Sequence, residues 1–144
     1  MAEGIFKQLV LDKKLENKIY TDSAGTSAYH LGDNPDARMQ ETALHHGITL
    51  RHKARQFTEY DFDKFDFIIA MDSSNYEDIC SLEYSENGSY KVLMMRDFDT
   101  NSDDKDVPDP YYGGSNGFEE VYSMLLKCCT NFLNHIISQH KLNG

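Results

Sequence analysis

The chain has 144 residues, enough for one domain with a core of its own. It carries 14 basic and 24 acidic side chains, a formal net charge of -10. That field repels nucleic acid and anionic membrane, because both are bound through basic patches. No apolar run approaches the ~20 residues of a membrane span. The opening Met1-Ala2-Glu3-Gly4-Ile5-Phe6-Lys7 has no basic region followed by an apolar core, so a secretory signal is absent and the cytoplasm is the expected compartment.

Taken in order, the chain alternates helical and strand-like patterns. Residues 2–14 set Ile5, Phe6, Leu9 and Val10 at helical spacing, with lysines on the other face. Residues 18–24 read as a short strand running into a turn at Gly25. Asp36 to His46 reads as a helix stopped by Gly47. Thr58-Glu59-Tyr60-Asp61 looks like the capped start of a short helix. Residues 66–71 are continuously apolar after Asp66, the pattern of a strand buried on both faces. Ser73 or Ser74 then caps a helix reaching about Leu82. Residues 91–96 form a third strand, and a long polar loop follows over 97–116. From Phe118 to about Gln139 runs an amphipathic helix, with Val121, Leu125, Cys129, Phe132 and Ile136 along one face. No repeat or linker divides the chain, so residues 1–144 are expected to form a single domain.

Strand–helix alternation predicts a parallel sheet with helices on both faces. Function in such folds sits at the C-terminal ends of the strands. Three loops arrive there, 22–35, 71–75 and 97–116, and a site should be built from them.

Three cysteines, Cys80, Cys128 and Cys129, make an odd count in a chain without a leader, which favours reduced thiols over a disulfide framework. His45 and His46 are adjacent on a helix, about 100° apart, and cannot share one metal ion. The aspartates between Asp97 and Asp106 lack the glycine and closing glutamate of a calcium loop. No metal or other cofactor is expected.

The most specific stretch is Val107-Pro108-Asp109-Pro110-Tyr111-Tyr112-Gly113-Gly114. Each proline fixes its own φ, and Pro110 also holds Asp109 extended. An acid held that rigidly is either a turn former or a positioned acid. Tyr111 and Tyr112 offer flat apolar surface that could line a slot for an aromatic ring.

This octamer resembles the acid loop of the low-molecular-weight protein tyrosine phosphatases. Other segments resemble the same family in the same order. They are Asp22-Ser23-Ala24-Gly25-Thr26, Asn34-Pro35-Asp36-x-Arg38, His46-Gly47-Ile48 with Ala54-Arg55-Gln56, and Phe65-Asp66 with Met71-Asp72-x-x-Asn75. The resemblance spans essentially the whole chain. It implies a three-layer α/β/α fold with a parallel sheet, three of the family's four strands being present. It implies hydrolysis of phosphotyrosine proteins or aryl phosphates through a phosphocysteine. Asp109 matches the general acid that protonates the leaving phenolate and then, as carboxylate, activates water. Tyr29, either a gate or a partly buried anchor, and Tyr111 and Tyr112 match aromatics beside the substrate. Ser23, His46, Asp72 and Asn75 match positions that brace the phosphate-binding loop.

One departure is decisive for the expected chemistry. The family's nucleophile lies in a Cys-x5-Arg-Ser loop, and here the sixth residue after Cys80 is Glu86, after Cys128 Asn134, and after Cys129 His135. Met1-Ala2-Glu3 aligns just past the family's Arg-Ser-Pro, so one strand and the loop are expected to be missing, about 14–18 residues. Met1 is then either an internal methionine taken as a start or the mark of a genuine loss. The expectation is a chain inactive as given. The alternative is a non-catalytic binding or regulatory remnant. A receiver-like phospho-acceptor module is disfavoured, since no acidic pair follows a first strand. The absent strand belongs between residues 18–24 and 66–71, which predicts exposed strand edges and possible self-association through them.

Overall fold

A computed structural model describes residues 1–25, 37–50, 55–82, 91–99, 106–108 and 117–142. Its elements are α1 (Ala2–Asp12), α2 (Ala37–His45), α3 (Asp61–Lys64), β1 (Ile68–Ala70), α4 (Ser73–Cys80), β2 (Val92–Met94), a 3-10 turn (Met95–Phe98) and α5 (Gly117–His140).

The fold is a three-layer α/β/α arrangement. β1 and β2 pair in parallel, with Ile68 opposite Val92, Ile69 opposite Leu93 and Ala70 opposite Met94. Successive strand side chains point to opposite faces, and the core divides accordingly. Ile69 packs into a cluster with α1, α2 and α5, built on Ile5, Phe6, Val10, Ala43, Leu125 and Phe132. Ile68 and Ala70 face the other way, against Phe62 of α3 and Ile79 of α4. The five apolar residues spaced along α5 are all buried. Phe132 is their centre: its ring stacks on Phe6 of α1 at 5.2 Å and meets Phe67 at 5.5 Å and Phe98 at 5.0 Å.

The segment 18–24 departs from its expected form. It has strand-like composition but is not a strand. Only the residue after it makes a ladder contact, a parallel bridge between Gly25 and Gln56. There Gly25 N–H donates to Arg55 O at 2.8 Å and Phe57 N–H to Gly25 O at 2.6 Å. A strand is defined by a paired neighbour, and among the described residues 20–24 have none. Tyr20 instead stacks on Phe65 at 6.0 Å with Lys64 over its ring, and stays largely exposed.

The helix boundaries hold to within a few residues. Gly47 ends the turn after α2 with φ +81°, a left-handed conformation that suits glycine. The cap of α4 differs from the expected serine: Asp72 is the N-cap, and its carboxylate accepts from Asn75 N–H at 2.7 Å. Among the described residues no helix is long and apolar enough to cross a membrane.

Candidate active site

The C-terminal end of β1 is where polar groups gather. Met71 leaves the strand, Asp72 caps α4, and residues 106–108 lie across the junction. Three anchors hold that short segment. Ser73 donates through both its backbone amide and its hydroxyl to Asp106 Oδ1, at 2.7 and 2.8 Å. Val107 N–H donates to Met71 O at 2.7 Å. The Arg96 guanidinium donates to Asp106 O at 2.9 Å.

Arg96 is itself fixed from below. It is buried, and Asp99 lies 3.4 Å from its Nε. Lys127 on α5 reaches the same carboxylate at 3.0 Å. A buried guanidinium is tolerable only when paired and hydrogen-bonded, and this triad supplies that pairing. The segment that leads into Asp109 is thus tied to β1, to α4 and to the exit of β2.

Ser23 faces the N-terminus of α1, where its hydroxyl donates to Glu3 Oε2. Lys7 reaches the other oxygen of Glu3 at 2.8 Å. Asp22, next to it, accepts from Arg55 Nε at 3.0 Å. Arg55 also grips Asp61 with both terminal nitrogens, at 3.2 and 3.1 Å. Asp61 accepts a further bond from Thr58 N–H at 2.9 Å, although the N-cap of α3 is Tyr60, with no side-chain cap bond, rather than the Thr58 expected from the sequence. The hydrogen bond to Asp61, reinforced by the charges of Asp61 and Asp22, pushes the Arg55 pKa above its ordinary value against the opposing effect of burial. This network joins the Gly25–Gln56 bridge to α3.

Ser23 and Asn75 line one broad cleft between residues 20–25 and β1, together with Met1, Glu3 and Asp22. Asp72 stands beside it as the cap of α4. His46 is placed elsewhere, against α5. Its Nε2 lies 2.7 Å from Glu119 Oε2, and its ring stacks on Tyr122 at 3.8 Å and 10°. Tyr29, Asp109, Tyr111 and Tyr112 fall outside the described residues.

Two of the three thiols are poorly placed as nucleophiles. Cys128 and Cys129 are both buried on α5. Burial pushes the Cys128 thiol up and the Cys129 thiol up to about 12, the opposite of the lowered pKa that a reactive cysteine needs.

Sequence reasoning did not find the Ser73–Asp106 clamp or the Arg96–Asp99–Lys127 triad. The first joins positions 33 residues apart, the second is buried charge, and no local spacing announces either. The Arg55 network had a partial signal in Thr58 and Asp61, whose spacing fits a capping box.

Polar groups converging beyond the carboxyl ends of parallel strands define a ligand-site geometry of open α/β proteins. Residues 1–142 match the family described as low molecular weight phosphotyrosine protein phosphatase, and the chain belongs to that family. It is 41% identical over 134 residues to the low molecular weight phosphotyrosine protein phosphatase of Gallus gallus, covering 92% of this chain and 84% of that protein. In structure it is similar to the protein tyrosine phosphatase of Entamoeba histolytica, with a TM-score of 0.88 at 35% identity, covering 98% of this chain and 89% of that one. YfkJ of Bacillus subtilis matches with a TM-score of 0.88 at 39% identity, over 98% of this chain and 87% of that one.

Proposed function

We propose that this chain carries the general-acid half of a site that hydrolyses phosphotyrosine proteins or aryl phosphates. The observation that supports this most is the Asp109-Pro110-Tyr111-Tyr112-Gly113 run inside a family match over residues 1–142. The segment just before it is clamped to the end of β1, where such a site belongs.

In this reading a cysteine thiolate attacks phosphorus, an S–P bond forms, and the P–O bond to the phenol breaks. Asp109 gives its proton to the leaving phenolate. Water then attacks the phosphocysteine, Asp109 takes its proton, and the S–P bond breaks to release phosphate. The transition state is loose, so positioning outweighs covalent assistance. Tyr29, Tyr111 and Tyr112 form the aromatic slot. Ser23, Asp72 and Asn75 brace the region around the cleft, and His46 supports it indirectly, from beyond the end of α2 where it packs on α5. The whole acts as one cytoplasmic domain.

The 144 residues contain no Cys-x5-Arg, and the two buried cysteines have raised pKa values. We therefore expect this chain alone not to turn over substrate, as a member of a catalytic set acting without its nucleophile. The same observation favours a second reading, a non-catalytic binding or regulatory remnant of the family. An assay of the 144-residue chain on an aryl phosphate tests the expected inactivity. The coding sequence upstream of Met1 separates the two readings, since a frame encoding a strand and Cys-x5-Arg-Ser-Pro would sink the remnant. A rate equal to a buffer blank is expected. Turnover that Asp109→Ala abolishes would overturn the expectation of inactivity and the remnant reading together.

A further inference from the structure

Several bases of this acidic chain are engaged by carboxylates. Lys7 meets Glu3, Arg55 meets Asp22 and Asp61, and Arg96 and Lys127 share Asp99. Lys13, Lys14 and Lys18 are different. All three are exposed, and among the described residues their side chains make no ion pair or hydrogen bond. With 24 acidic side chains to 14 basic ones, partners are not scarce. Residues 7–18 form a positive island on a chain of net charge -10, with Lys7, Lys13, Lys14 and Lys18 against Asp12 and Glu16. The Asp12 carboxylate is also engaged locally, by Gln8 Nε2 at 3.0 Å.

The dipole of α1 explains part of this, because cations at a helix C-terminus offset its partial negative charge. That effect fades within the last turn and does not reach Lys18. Nor does it explain Lys14, which stands at φ +59°, where glycine or asparagine is the ordinary occupant. It also leaves Leu11 unexplained, a leucine 52% exposed in the middle of the same stretch.

Leu11 does not stand alone. With Val10, Glu16, Ile19 and Tyr20 it lines a groove of about 540 Å³. Tyr20 is 68% exposed. Val10, Leu11 and Glu16 are not part of the cleft beside β1, so the groove runs along the C-terminal half of α1. Its volume lies within the roughly 300–1000 Å³ of ordinary ligand pockets.

We propose that this groove and its lysines dock an acidic peptide segment of a partner protein, one with an aromatic side chain among its carboxylates. The ring fills the groove against Leu11 and Tyr20, and the carboxylates pair with Lys13, Lys14 and Lys18. The apolar anchor supplies affinity and the charged rim selects the partner. An anionic membrane is a poorer occupant. A short peptide feels only the charges within a Debye length of about 8 Å, whereas an extended surface meets the field of the whole acidic chain. The proposal does not depend on the phosphatase reading, since its readout is binding rather than turnover.

The test uses a fluorescein-labelled peptide, Asp-Glu-Asp-Phe-Glu-Asp, with two controls, one with serine in place of phenylalanine and one with lysines in place of every acid. Non-specific attraction to an acidic chain favours the lysine control, so binding of the acidic peptide must be local. Anisotropy titration should give saturable binding of the acidic phenylalanine peptide, about tenfold tighter than the serine control and weakening as salt is raised. Leu11→Ser should weaken it about tenfold, as should the triple variant Lys13→Gln, Lys14→Gln, Lys18→Gln. The triple arginine variant should retain it. All four positions are exposed, so these variants should melt with the parent, and the peptide controls carry the test without any variant. Hydrogen exchange in the complex should slow within residues 7–22. Absence of saturable binding would overturn the proposal, as would tighter binding of the lysine control or indifference to the phenylalanine. So would binding to phosphatidylserine vesicles that excess peptide does not displace, or protection of residues 7–22 that appears without peptide as the chain is concentrated.

Discussion

The backbone amide and the hydroxyl of Ser73 both donate to a single carboxylate oxygen of Asp106, at 2.7 and 2.8 Å. This pair of hydrogen bonds from one residue to one oxygen helps set the position of residues 106–108, and with them the entry to Asp109. Asp106→Ala removes both acceptor contacts. The pair is exposed, so global stability should fall by only about 1 kcal/mol. The local effect should be larger: the Val107 amide, bonded to Met71 O, should exchange markedly faster. Unchanged exchange at Val107 would show that the clamp holds nothing.

Arg55 is the hub of a second clamp. Asp61 is nearly buried, at 6% side-chain exposure, while Arg55 is one-third exposed. Arg55→Met leaves the Asp61 carboxylate with only Thr58 N–H among the partners described. The expected cost is about 2 kcal/mol, below the figure for a fully buried pair because solvent reaches the guanidinium. Arg55→Lys should recover part of it, since an ammonium cannot span both carboxylates as a fork does. Denaturant midpoints of the two variants decide this.

Alkaline pH should destabilise the fold through Cys129. The unfolded thiol ionises near 9.0 and the folded one at about 12. Between those values the folded state keeps a proton that the unfolded state has released. Stability is therefore intact below pH 9 and falls as pH rises toward 12, by about 1.4 kcal/mol per unit. Cys129→Ala should flatten the slope. Cys128, raised in the same direction, leaves a residual one. Urea titrations at several pH values between 8 and 11 measure both.

Phe132 touches rings from α1, from Phe67 just before β1 and from the turn after β2. Phe132→Ala should cost about 3–5 kcal/mol. Because one ring joins several elements, near-ultraviolet dichroism and thermal melting should lose their transition together. A variant that melts within a degree or two of the parent would show that the cluster repacks.

What could be read in advance follows how local each cause is. The apolar spacing of α5 lies within the helix, so Val121, Leu125, Cys129, Phe132 and Ile136 were legible as its buried face. Continuous apolar residues marked β1 because it is covered from both layers. Residues 18–24 were not legible, since β propensity is local while a strand exists only beside a partner. Nor was the N-cap of α4 settled: Asp72, Ser73 and Ser74 all suit a cap, and Ser73 is engaged by Asp106. The site was readable as an ordered set of motifs, but the bonds that fix it join residues far apart in the chain.

The stacking of Phe6 on Phe132 has a consequence for biosynthesis. The two rings are 126 positions apart, the difference of their residue numbers. At about 5–20 residues per second, the apolar face of α1 leaves the ribosome roughly 6–25 s before its partner is made. Through that interval Phe6 and Val10 stay open to holdase chaperones, so translation speed, as much as final stability, governs how much of this chain escapes aggregation.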